Sequence, residues 1–205
     1  MIRVIHEGSL EPILYSVEEF EKVMQIKHLP VLAFENEKVR RKVEKKCAKA
    51  AEERLYKRRQ KWLGVYYEKE IAEGFSPLVT IRWVDSTIGY GLFAEQKFAP
   101  GDLIGEYTGI LKYQKPFSVN PSDYKYYYSI VEGKRSRYYI DAQDQGNHCR
   151  FINHSFQGNL RPITIFSGGV MHIILIAKTA ISTGDQLTYD YGEEYWKKRA
   201  PPLCI

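Results

Sequence analysis

At 205 residues, with 44% hydrophobic and 27% charged side chains, the chain has room for one domain with a sizeable core and a smaller companion. Its longest apolar run, "VMHIILIA" (170–177), is far shorter than the roughly 18 residues a membrane span needs, and "MIRVIHEGSLEP" has no secretory apolar core, so neither a membrane partner nor export by that route is expected. The net charge of +5 is unevenly placed: residues 38–61 carry twelve Lys/Arg against three Asp/Glu, a net of +9, so the remainder sums to −4.

Residues 18 to about 73 read as helical. Val39, Val43, Cys47, Ala50, Ala51, Leu55, Trp62 and Tyr66 recur at three- and four-residue intervals, as one face of a helix requires. The basic segment 38–61 is either a solvated helix face or a face that also touches nucleic acid or an acidic partner. Gly74 and Pro77 in "EGFSP" mark a boundary, which divides the chain into a helical, basic region (1–77), a second domain (78–192) and a tail (193–205).

Beyond the boundary the period changes to that of strands. "LVTIRWV" (78–84), "LFAE" (92–95), "LIGEYTG" (103–109), "YKYYYSIV" (124–131), "RYYIDA" (137–142), "GVMHIILIA" (169–177) and "QLTYDY" (186–191) are short β-rich runs separated by turn signals. Two turns resemble one another, "FAPGDLI" (98–104) and "ISTGDQL" (181–187), each with Gly-Asp just before a strand. The fold class is therefore α+β overall, with a mostly β domain behind a helical N-terminal region.

Three cysteines, Cys47, Cys149 and Cys204, lie far apart without a C-x-x-C pair. That pattern points to a reducing, intracellular compartment, cytoplasm or nucleus, and away from a disulfide framework. Asn153-His154-Ser155 spells a glycosylation acceptor, but nothing directs the chain through a secretory pathway. Adjacent His154 and Ser155 do not make a hydrolase dyad, because neighbouring side chains on an extended segment point to opposite sides. Gly89 and Gly91 around Tyr90 let backbone approach a ligand closely, yet no third glycine and no helix pattern follow, so this is not a dinucleotide fingerprint.

In combination and order, "GYGLFAEQKFAPGDLIGEYTG" (89–109), "YYIDAQDQGNHCRFINHSFQGN" (138–159) and "AISTGDQLTYDYGEEY" (180–195) closely resemble the successive signatures of SET-domain protein lysine methyltransferases. The resemblance covers about residues 78–195. It implies the SET fold, small curved β-sheets with a pseudoknot in which the Asn-His-Ser segment threads under the loop of the last motif. It implies S-adenosylmethionine as cofactor, S-adenosylhomocysteine as product, and transfer of a methyl group to a protein lysine. Asn153 would then hold the amino-acid portion of the cofactor through its side chain, His154 the adenine through its backbone, and Gly89, Tyr90 and Gly91 the methionine end. Arg150 would be either a cation near the cofactor carboxylate or a brace for the fold. Tyr191 matches the family's catalytic tyrosine and Tyr107 an aromatic of the lysine channel. Tyr189 matches the product-specificity position, where tyrosine implies mono- or dimethylation.

The chain departs from many histone-modifying relatives at Phe156 and Gly158, where those have Cys and Pro, and its tail offers only Cys204. Four zinc ligands cannot be gathered in the family's usual way, so no zinc is expected. Tyr195 and Trp196 would cover the cofactor instead, with Trp196 near the adenine, or anchor the tail. The expected partner is a protein with a lysine in a flexible, basic, histone-like segment, with a non-histone protein or a binding module on a SET scaffold as alternatives. Homo-oligomerisation is left open. Likeness to small zinc-free bacterial members leaves export into a host open as well.

Overall fold

The computed structural model describes residues 1–115, 122–134 and 136–196. Cys204 and the rest of the tail beyond Trp196 lie outside these residues.

The chain opens with two strands, β1 (Ile2–Ile5) and β2 (Ile13–Tyr15), paired antiparallel. Helix α1 (Val17–Met24) starts at Ser16 through a capping box: the Glu19 N–H donates to the Ser16 hydroxyl at 3.2 Å, and the Ser16 N–H donates to the Glu19 carboxylate at 2.8 Å. Two short strands follow, β3 (Lys27–His28) and β4 (Ala33–Phe34). Helix α2 (Glu37–Glu52) begins where the Asn36 side chain accepts from the Val39 N–H, and α3 (Arg58–Tyr66) and α4 (Glu68–Glu73) complete the region.

The expectation of a helical 1–77 segment is therefore corrected: it carries four strands, and the helix read across 18–73 is broken into four. Pro30 supplies no backbone N–H and disfavours helix at Leu29, and Asn36 starts a new helix. The apolar stripe holds only as far as α2 reaches. Val39, Val43, Cys47 and Ala50 are buried, whereas Leu55, within the break at 53–57 where Arg54 takes a left-handed backbone (φ 56°), and Trp62 and Tyr66 beyond it are exposed. Their spacing continues the period through a turn and has no structural meaning.

The following strands are β5 (Val79–Asp85), β6 (Gly89–Ala94), β7 (Leu103–Glu106), β8 (Ile110–Tyr113), β9 (Lys125–Tyr128), β10 (Tyr138–Asp141) and β11 (Gln145–Gly146). A 3-10 turn (His148–Phe151) leads to β12 (Asn153–His154), β13 (Leu160–Ser167), β14 (Val170–Ala177), β15 (Thr188–Tyr189) and the single turn α5 (Glu193–Trp196). All seven strands expected after residue 77 are present. Strands β8, β11, β12 and β13 lie outside the expected runs; β13 carries Pro162, which is tolerated on the edge of its sheet, where a missing donor costs little.

The strands form small sheets in the orders β2-β1-β5-β6, β4-β8-β10-β9 and β13-β14-β7, with two-stranded pairs β11-β3 and β12-β15. Three N-terminal strands enter this framework in parallel: β1 along β5, β3 along β11 and β4 along β8. β12 also runs parallel to β15, with Asn153 beside Thr188 and His154 beside Tyr189. The Asn159 side chain locks the crossing, donating to the Gln186 carbonyl at 2.8 Å and accepting from the Thr188 N–H at 3.0 Å.

Strand β14 is buried along its whole length, which is why it reads as a continuous apolar run. Its residues alternate between two cores: Met171, Ile173, Leu175 and Ala177 pack into the main core with Val39, Val43 and Cys47 of α2, while Ile174 and Ile176 pack with Ile71 of α4 and Leu63 of α3. Helix α2 and the α3–α4 pair thus cover opposite faces of one sheet. The two similar turns are also alike in structure. Gly101 and Gly184 take φ of 98° and 91°, and the following carboxylates, Asp102 and Asp185, accept from the N–H groups of Ala99 and Ser182 at 2.7 and 2.8 Å. The turns are joined where Phe98 and Ile181 exchange backbone hydrogen bonds of 3.0 Å.

Candidate active-site cleft

A cleft of about 1620 Å³ runs between β6, β9 and β10, the 3-10 turn, β12, β15 and α5. Gly89, Tyr90, Tyr107, Arg150, Asn153, His154, Tyr189, Tyr191 and Trp196 all line it. Gly91 does not. It sits behind the wall, and a Cβ there would lie 2.6 Å from the Gln186 side-chain nitrogen and 3.0 Å from that of Asn153. The absent side chain lets those two amides approach the β6 backbone.

At one end, the Asp85 carboxylate accepts from the N–H groups of Thr87 and Ile88 at 2.7 and 2.8 Å and closes the turn into β6. The Asn153 amide donates to the Tyr90 carbonyl at 3.2 Å. The Tyr90 phenol meets His6 Nδ1 at 2.8 Å, and His6 Nε2 meets the Tyr15 hydroxyl at 2.9 Å, so the first strand pair is fastened to the cleft wall. His154 Nδ1 accepts from the Tyr191 N–H at 3.1 Å, which assigns the imidazole proton to Nε2 by the hydrogen-bond network. Burial holds this ring below the usual histidine range, against the opposing pull of Asp190 at 3.8 Å. His154 Nε2 and Trp196 Nε1 are buried without hydrogen-bond partners, and their rings lie 4.8 Å apart.

The other end is a phenol cluster. Tyr191 donates to the Ile152 carbonyl at 2.7 Å, and its ring packs on Tyr189 at 4.9 Å and Tyr195 at 4.8 Å. Tyr107 donates to the Tyr124 carbonyl at 2.9 Å. Tyr126 fills the gap between them, 5.3 Å from the Tyr107 ring and 6.5 Å from that of Tyr189. Desolvation pushes Tyr126 up to about 12 and Tyr107, Tyr189 and Tyr191 up as well. All four stay protonated at neutral pH.

Arg150 braces the floor. Its guanidinium donates to the carbonyls of Ala142 and Gln143 at 2.8 and 3.0 Å and lies 4.1 Å over the Tyr124 ring and 4.8 Å over Phe151. Arg150 makes these bracing contacts and also lines the cleft.

Sequence reasoning missed Tyr124, Tyr126 and His6. The first two were legible: a period of two through "YKYYYSIV" puts Tyr124, Tyr126 and Tyr128 on one face, leaving Tyr127 exposed on the other. Nothing marks His6: Tyr15 is close in sequence, but Tyr90 is brought to it only by the pairing of β1 with β5 across 77 residues. Among the described residues no group of three or more His, Cys, Asp or Glu is gathered that could hold a metal ion, and Cys47 and Cys149 are buried free thiols.

The family model for the SET domain matches residues 89–192. The chain is 33% identical over 113 residues to the human histone-lysine N-methyltransferase EHMT1, covering 53% of this chain and 9% of that one. It is 31% identical over 143 residues to the N-lysine methyltransferase KMT5A-A of Danio rerio, covering 62% and 40%. It thus spans less than half the length of either relative. Among solved structures, the Chaetomium thermophilum polycomb repressive complex 2 superposes with a TM-score of 0.52 at 25% identity, over 62% of this chain and 17% of that one. The same complex in an autoinhibited conformation bound to S-adenosylmethionine superposes with a TM-score of 0.50 at 27% identity, over 60% and 16%. With half of its length matched by the family model, in the segment that builds the cleft, the chain belongs to the SET-domain family.

Proposed function

We propose that the protein is an S-adenosylmethionine-dependent protein lysine N-methyltransferase acting on a basic, histone-like segment and adding one or two methyl groups. The observation that carries the reading is a single cleft with a polar, glycine-walled end and a desolvated phenol end. The relatives named histone-lysine and N-lysine methyltransferases support it.

The polar end fits the cofactor. The His154–Trp196 pair, in edge contact at 4.8 Å, offers a purine an aromatic wall to lie against. The Asn153 amide and the backbone of 89–90 suit the amino-acid end. When bound, S-adenosylmethionine supplies an electrophilic methyl group on a sulfonium. This chain's residues must present the amine to it neutral and in line.

Free lysine has a pKa of about 10.4, so a proton must leave before attack. The buried phenols of Tyr107, Tyr126, Tyr189 and Tyr191 form an environment that disfavours the ammonium, and that proton goes to water. None of the four is the base, because burial keeps each protonated. The Tyr191 hydroxyl spends its hydrogen on the Ile152 carbonyl, which fixes its direction and leaves its lone pairs to accept from the amine or to face the developing charge. On transfer the S–C bond would break as the N–C bond formed, and the positive charge passing to nitrogen would face the Tyr191 hydroxyl oxygen. Tyr189 sits 6% exposed in the packed cluster, and its hydroxyl occupies room that a trimethylated product needs.

The test is labelled-methyl transfer to purified histones by the wild type and by Tyr191→Phe, with products read by mass spectrometry. Transfer slowed about 100-fold in the variant and mono- or dimethyl-lysine in the product are expected. No transfer to any basic protein defeats the reading, and a mainly trimethyl product defeats the role of Tyr189.

A further inference from the structure

We infer that the outer face of α2 docks the phosphate backbone of double-stranded nucleic acid. This surface lies outside the segment matched by the family model and does not depend on methyl transfer.

Lys38, Lys42, Lys45 and Lys49 follow each other at four, three and four residues, which places them along one face of the helix over about 16 Å. All four are exposed, and the buried stripe of Val39, Val43 and Cys47 turns another face to the core. The helix has acidic partners, but they lie to the sides: Glu37 pairs with Arg41 at 2.8 Å and Glu44 with Arg40 at 2.9 Å, and only Lys49 of the stripe has one, Glu53 at 3.6 Å. Among the described residues no ion pair is made by Lys38, Lys42 or Lys45.

A solvated helix face ordinarily mixes its signs. Here Lys38 and Lys42, and again Lys45 and Lys49, repel at i,i+4, an arrangement that opposes the helix rather than supporting it. The stripe therefore costs the fold stability, and only its last lysine, paired with Glu53, returns any within the chain. A regular line of phosphates relieves that repulsion along its whole length. Among anionic macromolecules a duplex fits better than an acidic protein, because a straight run of lysines, strongly hydrated point charges, complements a regular charge array without asking for particular side chains. Beside the stripe, the Lys46 ammonium sits 5.4 Å from the ring of Tyr138, which lines the cleft.

The experiment is fluorescence anisotropy with the full chain and a labelled 24-base-pair duplex, about two helical turns, across a salt series. Wild type is compared with Lys38→Gln/Lys42→Gln/Lys45→Gln, and polyglutamate serves as competitor. Binding that weakens steeply with salt is expected, with the triple variant's log–log slope shallower by roughly two to three, since each phosphate contact contributes about 0.9. The variant should melt at the same temperature as wild type or higher, because it removes repulsion only, so lost binding cannot be ascribed to unfolding. No binding at low salt, a slope unchanged in the variant, or equal competition by polyglutamate at matched charge overturns the assignment.

Discussion

Residues 89–192 and the 88 residues before them contribute to the molecule in different ways. The first segment holds nearly everything that lines the cleft, and its short motifs announce the chemistry. The second lines the cleft only at Met24, Ile26, Thr87 and Ile88, yet it supplies three strands to one sheet, one strand to each of two more, and helices to both faces of β14. A family match over half of a chain locates its chemistry. It does not locate the limits of its folding unit.

The largest effect that separates these roles is expected at Phe20, on α1, 2% exposed and edge-on to Phe151 at 6.4 Å. Phe20→Ala should lower unfolding stability by about 3–5 kcal/mol in urea titrations. A change below about 1 kcal/mol would make the N-terminal region an appendage and break the comparison. Next is Tyr191→Phe, for which single-turnover methyl transfer should fall by about 100-fold, with cofactor affinity changed only a few-fold, as when one transition-state contact is removed. Full transfer rate would detach chemistry from this cluster.

The pH response probes the seam between the regions. His148 is wholly buried, bonded through Nε2 to the Ile104 carbonyl at 2.9 Å, and desolvation lowers its pKa to about 4. The unfolded imidazole titrates near 6.5, so between those values the unfolded chain binds more protons than the fold. Stability from this residue is full above about pH 6.5 and is lost progressively as pH falls toward 4, by up to roughly 3 kcal/mol. Urea midpoints at pH 7 and pH 4.5 should therefore differ more for wild type than for His148→Gln, and an equal difference would contradict the assignment. The smallest effect belongs to His6, part-buried between the phenols of Tyr90 and Tyr15. Losing a hydrogen bond worth about 1 kcal/mol, His6→Ala should weaken S-adenosylmethionine binding about five-fold by calorimetry and leave kcat near wild type. A drop confined to kcat would show that the latch acts on the amine rather than on the cofactor wall.

Legibility in the sequence followed the range of the interactions. Strand β14 was readable because burial on both faces demands an unbroken apolar run, and the α2 stripe because helical neighbours are local. The cleft residues were readable through motifs, and nine of the ten expected there line it. Strands β1, β3 and β4, of two to four residues, carry too few positions to show a period, and their pairing with β5, β11 and β8 is a long-range fact. Tyr126 had a readable period and was taken only as a strand residue. Leu55, Trp62 and Tyr66 show the reverse error, a period that runs on through a break in the backbone.

The sandwiching of β14 between early helices has a bearing on how the chain is born. Helix α2 is complete by residue 52, but its partners Met171 and Ile173 leave the ribosome some 120 residues later. At synthesis rates of about 5–20 residues per second, Val39, Val43 and Cys47 wait on the order of ten seconds for the β14 part of their cover. Docking must therefore come late, when the central strand arrives and both layers close on it together.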